Sequence, residues 1–154
     1  MEIADLLAPD GVLPKLRVTG KRQALQEVAR RAAALLDLDE HIILEALWER
    51  EQLGSTGIGG GTAVPHGRIP GLKRSAAFFA RLEKPIEFDA IDREPVDLIF
   101  VLLTPPEAGA DHLKALARIS RLVRKRAICS KLRGTESADA IYALLTDRAA
   151  THAA

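Results

Sequence analysis

The sequence predicts one α/β domain of three layers, a β-sheet sandwiched between helices, and three observations predict it. Apolar residues recur every three or four positions in 21–36. The run Val96 to Leu103 is nearly all apolar, as a strand covered on both faces must be. Helix-patterned segments also lie on both sides of the strand-patterned ones along the chain. With 154 residues, 47% of them hydrophobic, the chain fits the size of one domain and can bury one sizeable core.

In 21–36, Leu25, Val28, Ala29, Ala32 and Leu36 form one stripe, while Arg22, Glu27, Arg30 and Arg31 mostly face water. A second helix starts near Asp39, an acid suited to a helix N-terminus, and runs through Ile43 and Leu47 until Gly54 releases it. Arg50 then lies in its last turn. A Gly-rich strand follows. Ser75 to Leu82 alternates as a strand, and Val96 to Leu103, ended by Thr104-Pro105-Pro106, belongs in the middle of the sheet. Asp111 is placed to cap a helix with Leu113, Leu116, Ala117, Ser120 and Val123 on one face, and Ala138 to Leu145 makes a last amphipathic helix. The domain spans residues 1–147, and "RAATHAA", residues 148–154, reads as a disordered tail.

Lysine and arginine total 22 against 21 aspartate and glutamate, and no long block of like charge stands out, which speaks against a nucleic-acid partner or an acidic tail. No apolar run approaches the roughly 20 residues of a membrane span, and "MEIADLLAPDG" lacks the marks of a signal peptide, so a cytoplasmic protein without membrane insertion is expected. The single cysteine, Cys129, reads as a small buried hydrophobe rather than a redox or metal group. No metal or cofactor site is expected.

The stretch "EREQLGSTGIGGGTAVPHGRIPGL", residues 49–72, concentrates seven of the eleven glycines around one histidine, His66. It fits neither common phosphate cradle. A Walker A loop needs lysine and then serine or threonine after its last glycine, whereas Gly60 and Gly61 follow Gly59. A dinucleotide fingerprint must follow a strand, and these glycines follow a helix. What remains is general: glycines let backbone N–H groups approach an anion, and Ser55 and Thr56 add hydroxyls. Pro65 has a fixed φ and biases Val64 to an extended conformation, so a stiff segment leads into His66, and Gly67 leaves one side of the ring free. From the residues alone two readings stand: a nucleophilic histidine, or a loop histidine in an irregular turn.

The segment "REQLGSTGIGGGTAVPHGR" resembles the active-site signature of the type-2 EIIA domain of the bacterial phosphoenolpyruvate-dependent phosphotransferase system, and "PIEFDAIDREPVDLIFVLLTPPEAGADHLKALARISRLV" resembles the same family. The likeness covers most of the chain. "GSTGIG", and the lack of an attached permease domain in these residues, are most similar to the stand-alone nitrogen-related members. The implied fold is that of mannitol-specific EIIA, a mixed sheet between helices.

The resemblance implies that His66 accepts a phosphoryl group, on its tele nitrogen, from a phosphorylated HPr-like carrier (NPr), without any cofactor. It also implies that Arg50 and His112 belong to the site; Ser55, Thr56, Gly57 and Gly67 would support the phosphate. By position alone, Arg50 reads as a solvated helix-end cation and His112 equally well as a surface residue, so truncating either should change stability by no more than about 0.5 kcal/mol. His41 and His152 match nothing in the family and read as exposed, Trp48 as packing, and Asp89 and Asp92 as a loop turn. Two roles follow from the resemblance. One is a regulator whose partners, such as potassium transporters, sensor kinases or a stringent-response enzyme, distinguish the phosphorylated form; the other is a fructose- or mannitol-type component feeding a separate EIIB or permease.

Overall fold

The computed structural model describes residues 1–147; the expected tail, 148–154, and His152 within it lie outside the described residues. In chain order the elements are α1 (Ile3–Leu6), β1 (Leu7–Leu16), α2 (Lys21–Leu36), α3 (Glu40–Gln52), β2 (Gly57–Gly59), β3 (Thr62–Ala63), β4 (His66–Arg68), β5 (Ala76–Ile86), β6 (Val96–Thr104), α4 (Ala110–Val123), α5 (Arg126–Arg133) and α6 (Ala138–Thr146). The six-stranded sheet has the order β1-β5-β6-β3-β2, and β4 pairs with the end of β6. β5 and β6 are antiparallel, β1 is parallel to β5, and both β3 and β4 are parallel to β6, so the sheet is mixed.

Alternation along the two long central strands makes the three layers. Phe78, Ala80 and Leu82 of β5, with Ile99, Val101 and Leu103 of β6, pack into one core with α2 and α3. Ala77 and Phe79, with Leu98, Phe100 and Leu102, enter a second core with α1, α4, α5 and α6. Successive side chains of a strand point to opposite faces, so a strand apolar on both must be covered on both. Asp39 caps α3 as expected, its Oδ1 accepting from the N–H groups of His41 at 2.8 Å and Ile42 at 3.3 Å.

The structure differs from the sequence reading in four places. β1 is a strand despite Pro9 and Pro14; it lies at the sheet edge, where a proline need not donate to a ladder. α1, of four residues, is too short to show a periodic pattern, whereas α5 buries Ile128, Cys129 and Leu132 on one face, a helical spacing that the sequence reading passed over. The Gly-rich segment forms three short strands instead of one. Finally, Gly109 and not Asp111 occupies the N-cap of α4, whose buried stripe is His112, Ala115, Ile119, Leu122 and Val123, leaving Leu113 66% exposed. A polar residue on the inward stripe shifted the apparent face onto the leucines beside it.

Candidate active site

The segment before His66 is zipped into the sheet. The Val64 N–H donates to the Thr56 carbonyl at 3.0 Å, the Leu102 N–H donates to the Pro65 carbonyl at 3.0 Å, and His66 pairs with Leu102. The stiffness expected from Pro65 is therefore reinforced by β6, and the imidazole of half-buried His66 has a fixed origin. Its Nδ1 lies 2.9 Å from the Val64 carbonyl oxygen. A carbonyl only accepts, so Nδ1 carries the hydrogen and Nε2 holds the lone pair.

That lone pair meets Arg50, whose Nε–H donates to Nε2 at 3.3 Å. Arg50 comes from the last turn of α3 and is anchored by a second bond, Nη1 to the Gly54 carbonyl at 2.8 Å. α3 approaches β4 this closely because Gly67 has no side chain: a Cβ there would sit 3.3 Å from the Ala46 Cβ. Gly67 thus sets the spacing between the helix that carries Arg50 and the strand that carries His66.

His112 stands on the other side. It is 7% exposed in the first turn of α4, its Nδ1 is 2.7 Å from the Thr104 hydroxyl, and its ring centroid lies 5.7 Å from that of His66 at an interplanar angle of 63°. The expectation that His112 is a surface residue therefore fails. Truncating it strands a buried hydroxyl, at a cost of about 1 to 3 kcal/mol rather than 0.5.

Arg68, two residues beyond His66 and so on the same side of β4, lines the same cavity; it donates through Nη1 to the carbonyls of Ala108 at 2.9 Å and Pro106 at 3.3 Å. It ties the His66 strand to the loop that leads into α4. Sequence reasoning passed over Arg68, although the period of two along "HGR" points to it. Arg50, His66, Gly67, Arg68 and His112 line a cavity of about 660 Å³, and Leu53, 85% exposed, stands at its edge.

Burial pushes the His66 imidazole below its usual pKa, and the Arg50 charge adds to this against the Val64 hydrogen bond and the Glu51 charge, which both oppose it. Burial, and then the charges of Arg68 and His66, lower His112 likewise. Both rings are held neutral, the nucleophilic form. A ring-proton NMR titration is expected to give both histidines midpoints below 6.5, with His66 the neutral nucleophile at pH 6.5 and above. The folded chain resists a proton that the unfolded chain takes up near pH 6.5. Stability from this source is thus present above 6.5 and declines as pH falls through the folded midpoint.

The structure does not bring Ser55, Thr56 and Gly57 into the cavity lining. Ser55 Oγ donates to the Phe88 carbonyl at 2.7 Å and accepts from the Gly57 N–H at 3.1 Å, and a Cβ on Gly57 would lie 2.7 Å from the Ala90 Cβ. The Thr56 hydroxyl and N–H both donate to Glu51, at 2.6 and 2.9 Å. These residues frame the loop.

Glu51, a buried acid that the sequence gives no sign of, holds that frame; its carboxylate also accepts from Lys21 Nζ at 3.1 Å, and Lys21 reaches Asp89 at 3.4 Å. Asp92 accepts the Gly60 N–H at 3.0 Å and the Glu94 N–H at 3.1 Å and so serves the turn, whereas the Asp89 carboxylate faces Lys21 of α2. Glu51→Ala would leave the partly buried Lys21 ammonium and the Thr56 donors without this acceptor. The expected loss, read by urea denaturation, is about 3 to 5 kcal/mol.

The family model described as "Phosphoenolpyruvate-dependent sugar phosphotransferase system, EIIA 2" matches residues 5–148. A relative named "Nitrogen regulatory protein" from Bradyrhizobium diazoefficiens is 52% identical over 153 residues, covering 99% of this chain and all of that one. The crystal structure of nitrogen regulatory protein IIA-Ntr from Neisseria meningitidis superposes with a TM-score of 0.88 at 35% identity, over 94% of this chain and 99% of that one. The mannitol IIA of Escherichia coli shares the fold at a TM-score of 0.75 and 17% identity, over 90% of this chain and 97% of that one.

Proposed function

The chain belongs to the EIIA 2 family of the phosphoenolpyruvate-dependent phosphotransferase system, and from that premise we propose that it is a phosphoryl-accepting regulator of the nitrogen branch, charged on Nε2 of His66 by an HPr-like carrier. The observation that carries this reading is the lone pair of Nε2, fixed by the Val64 carbonyl and turned toward the Arg50 guanidinium at the cavity.

In the transfer, the Nε2 lone pair forms a bond to phosphorus while the donor's N–P bond breaks and its electron pair returns to the donor imidazole. Nδ1 keeps its proton on the Val64 carbonyl, so the phosphorylated ring carries positive charge and its new P–N bond stays labile. No general base is needed between two imidazoles; the protein's task is to position the rings and to meet charge on the peripheral oxygens. The Arg50 Nε–H, at a long 3.3 Å from Nε2, gives up that contact as phosphorus arrives and is left beside those oxygens. The exposed Leu53, at the edge of the cavity, and Leu113, next to His112 in the chain, offer the donor an apolar footing.

Phosphorylation replaces a neutral ring by a positive ring bearing a phosphoryl group of about −2 charges, a net change of about −1, which a partner seated over the cavity feels without any change of fold. Partners recovered with the cytoplasmic fraction are expected to separate the two forms by about 1 to 3 kcal/mol, measured as paired dissociation constants. Equal affinities across all of them refute the regulatory role. Restoration of sugar uptake through a separate permease would assign the chain to the sugar branch.

A further inference from the structure

A second cavity, of about 580 Å³, is lined by Arg124, Arg126 and Arg133 together with Gly59, Gly60 and Ile58, and by Val123 and Cys129. It shares no residue with the His66 cavity and adjoins the C-terminal end of α4, whereas His112 stands in the first turn of that helix. Charge that looks balanced in the composition is segregated here: between Asp111 and Glu136 the chain has eight lysines and arginines and no acid.

Arg133 is built into this wall. Its Nε and Nη2 grip Asp97 at 2.9 and 2.8 Å, and Nη2 also donates to the Gly60 carbonyl at 2.9 Å. The guanidinium fits because position 61 is glycine, at φ +78°, where a Cβ would lie 2.5 Å from Nη2. Nη1 of Arg133 has no acceptor among the described residues, and exposed Arg124 and Arg126 have no acidic partner among them. Asp92, which accepts the Gly60 N–H, is not part of the lining. Two of the three guanidiniums thus stand at a half-open space without a counter-charge, in a lining that also holds the apolar Ile58 and Val123. Most surface cations are simply solvated; three converging on one cavity of ligand size, one of them prefixed by a carboxylate, make a site.

We propose that this cavity binds a small molecule bearing at least two linked phosphates, with Arg124 and Arg126 on the phosphate oxygens and Ile58 and Val123 against its less polar body. Planar guanidiniums match phosphate oxygens in pairs, and a space of this volume admits a nucleotide-sized ligand rather than a polymer or a membrane surface.

The test is calorimetric titration of the full chain with pyrophosphate, ADP and citrate at low and high salt. Saturable binding of ADP or pyrophosphate is expected, weakened by salt and about tenfold by each of Arg124→Gln and Arg126→Gln, and unchanged in His66→Ala. ADP binding tighter than pyrophosphate is expected, because Ile58 and Val123 receive its less polar body, and equal affinities overturn that part of the proposal. Both arginines are exposed, and melting curves verify that their variants remain folded. No saturation by any probe below about 10 mM, citrate binding as tightly as ADP, indifference to both arginine substitutions, or loss of binding in His66→Ala each overturns the proposal.

Discussion

The wild-type chain is expected to take up one acid-labile phosphoryl group from phosphoenolpyruvate in the presence of enzyme I and an HPr-like carrier, and none from ATP alone, and His66→Ala is expected to take up none. The substitution removes the proposed nucleophile, and no neighbour among the described residues replaces it: His112 is buried with its Nδ1 committed to Thr104, and His41 is an exposed residue of α3. The absence of ATP reactivity follows from the Gly-rich turn, which lacks the lysine and hydroxyl of a Walker A loop. Intact-mass spectrometry before and after acid treatment reads the result. Label that persists in His66→Ala, or that arrives from ATP without the carrier, removes His66 from the assignment. Nitrogen NMR of the charged protein is expected to place phosphorus on Nε2, because Nδ1 is occupied by its bond to Val64.

Arg50→Ala is expected to slow single-turnover transfer to His66 by about 10² fold, the usual loss when one donor to a developing charge is removed. The guanidinium is held by Gly54 on one side and reaches Nε2 on the other, so its contribution grows as phosphorus replaces the lone-pair contact. Arg50 is half-exposed at a helix end, and its truncation should move the melting free energy by only about 0.5 kcal/mol, so rate and stability separate cleanly. Arg50→Lys restores the charge but not the fork and should recover only part of the rate. A wild-type rate in Arg50→Ala returns this arginine to the solvated surface. His112→Ala needs more care, since a slowed rate there comes with the stability loss of the broken Thr104 bond.

What the sequence made legible followed from repetition and from punctuation. α2 carries a clear helical period and β6 a nearly unbroken apolar run, Asp39 marks the start of α3, and Gly54 lies just past its end, so the frame that carries Arg50 was readable. His66 was readable as constrained, through Pro65, though its tautomer was not, because that rests on a carbonyl two residues away in the chain. β1 escaped because an edge strand tolerates the prolines that usually argue against one. Glu51 escaped for a different reason: a buried carboxylate is spelled like an exposed one, and only the convergence of Thr56 and Lys21 reveals it. Ser55 and Thr56 show the converse, since hydroxyls beside glycines suggest an anion cradle whether or not they are already committed to the frame.

The hydrogen bond from His66 Nδ1 to the Val64 carbonyl also bears on time. If phosphorus sits on Nε2, the carbonyl favours retention of the ring proton and so keeps the imidazole a good leaving group, much like the donor imidazole from which the phosphoryl group came. A bond exchanged between two such similar rings has an equilibrium constant near unity and can run in either direction. The charged fraction of the protein then follows the present ratio of charged to uncharged carrier and forgets earlier ratios as fast as the two proteins meet. Under the proposed function, a molecule built this way would work as a gauge and not as a latch: its reading would need continuous refreshing and would fall when the supply of phosphoenolpyruvate falls.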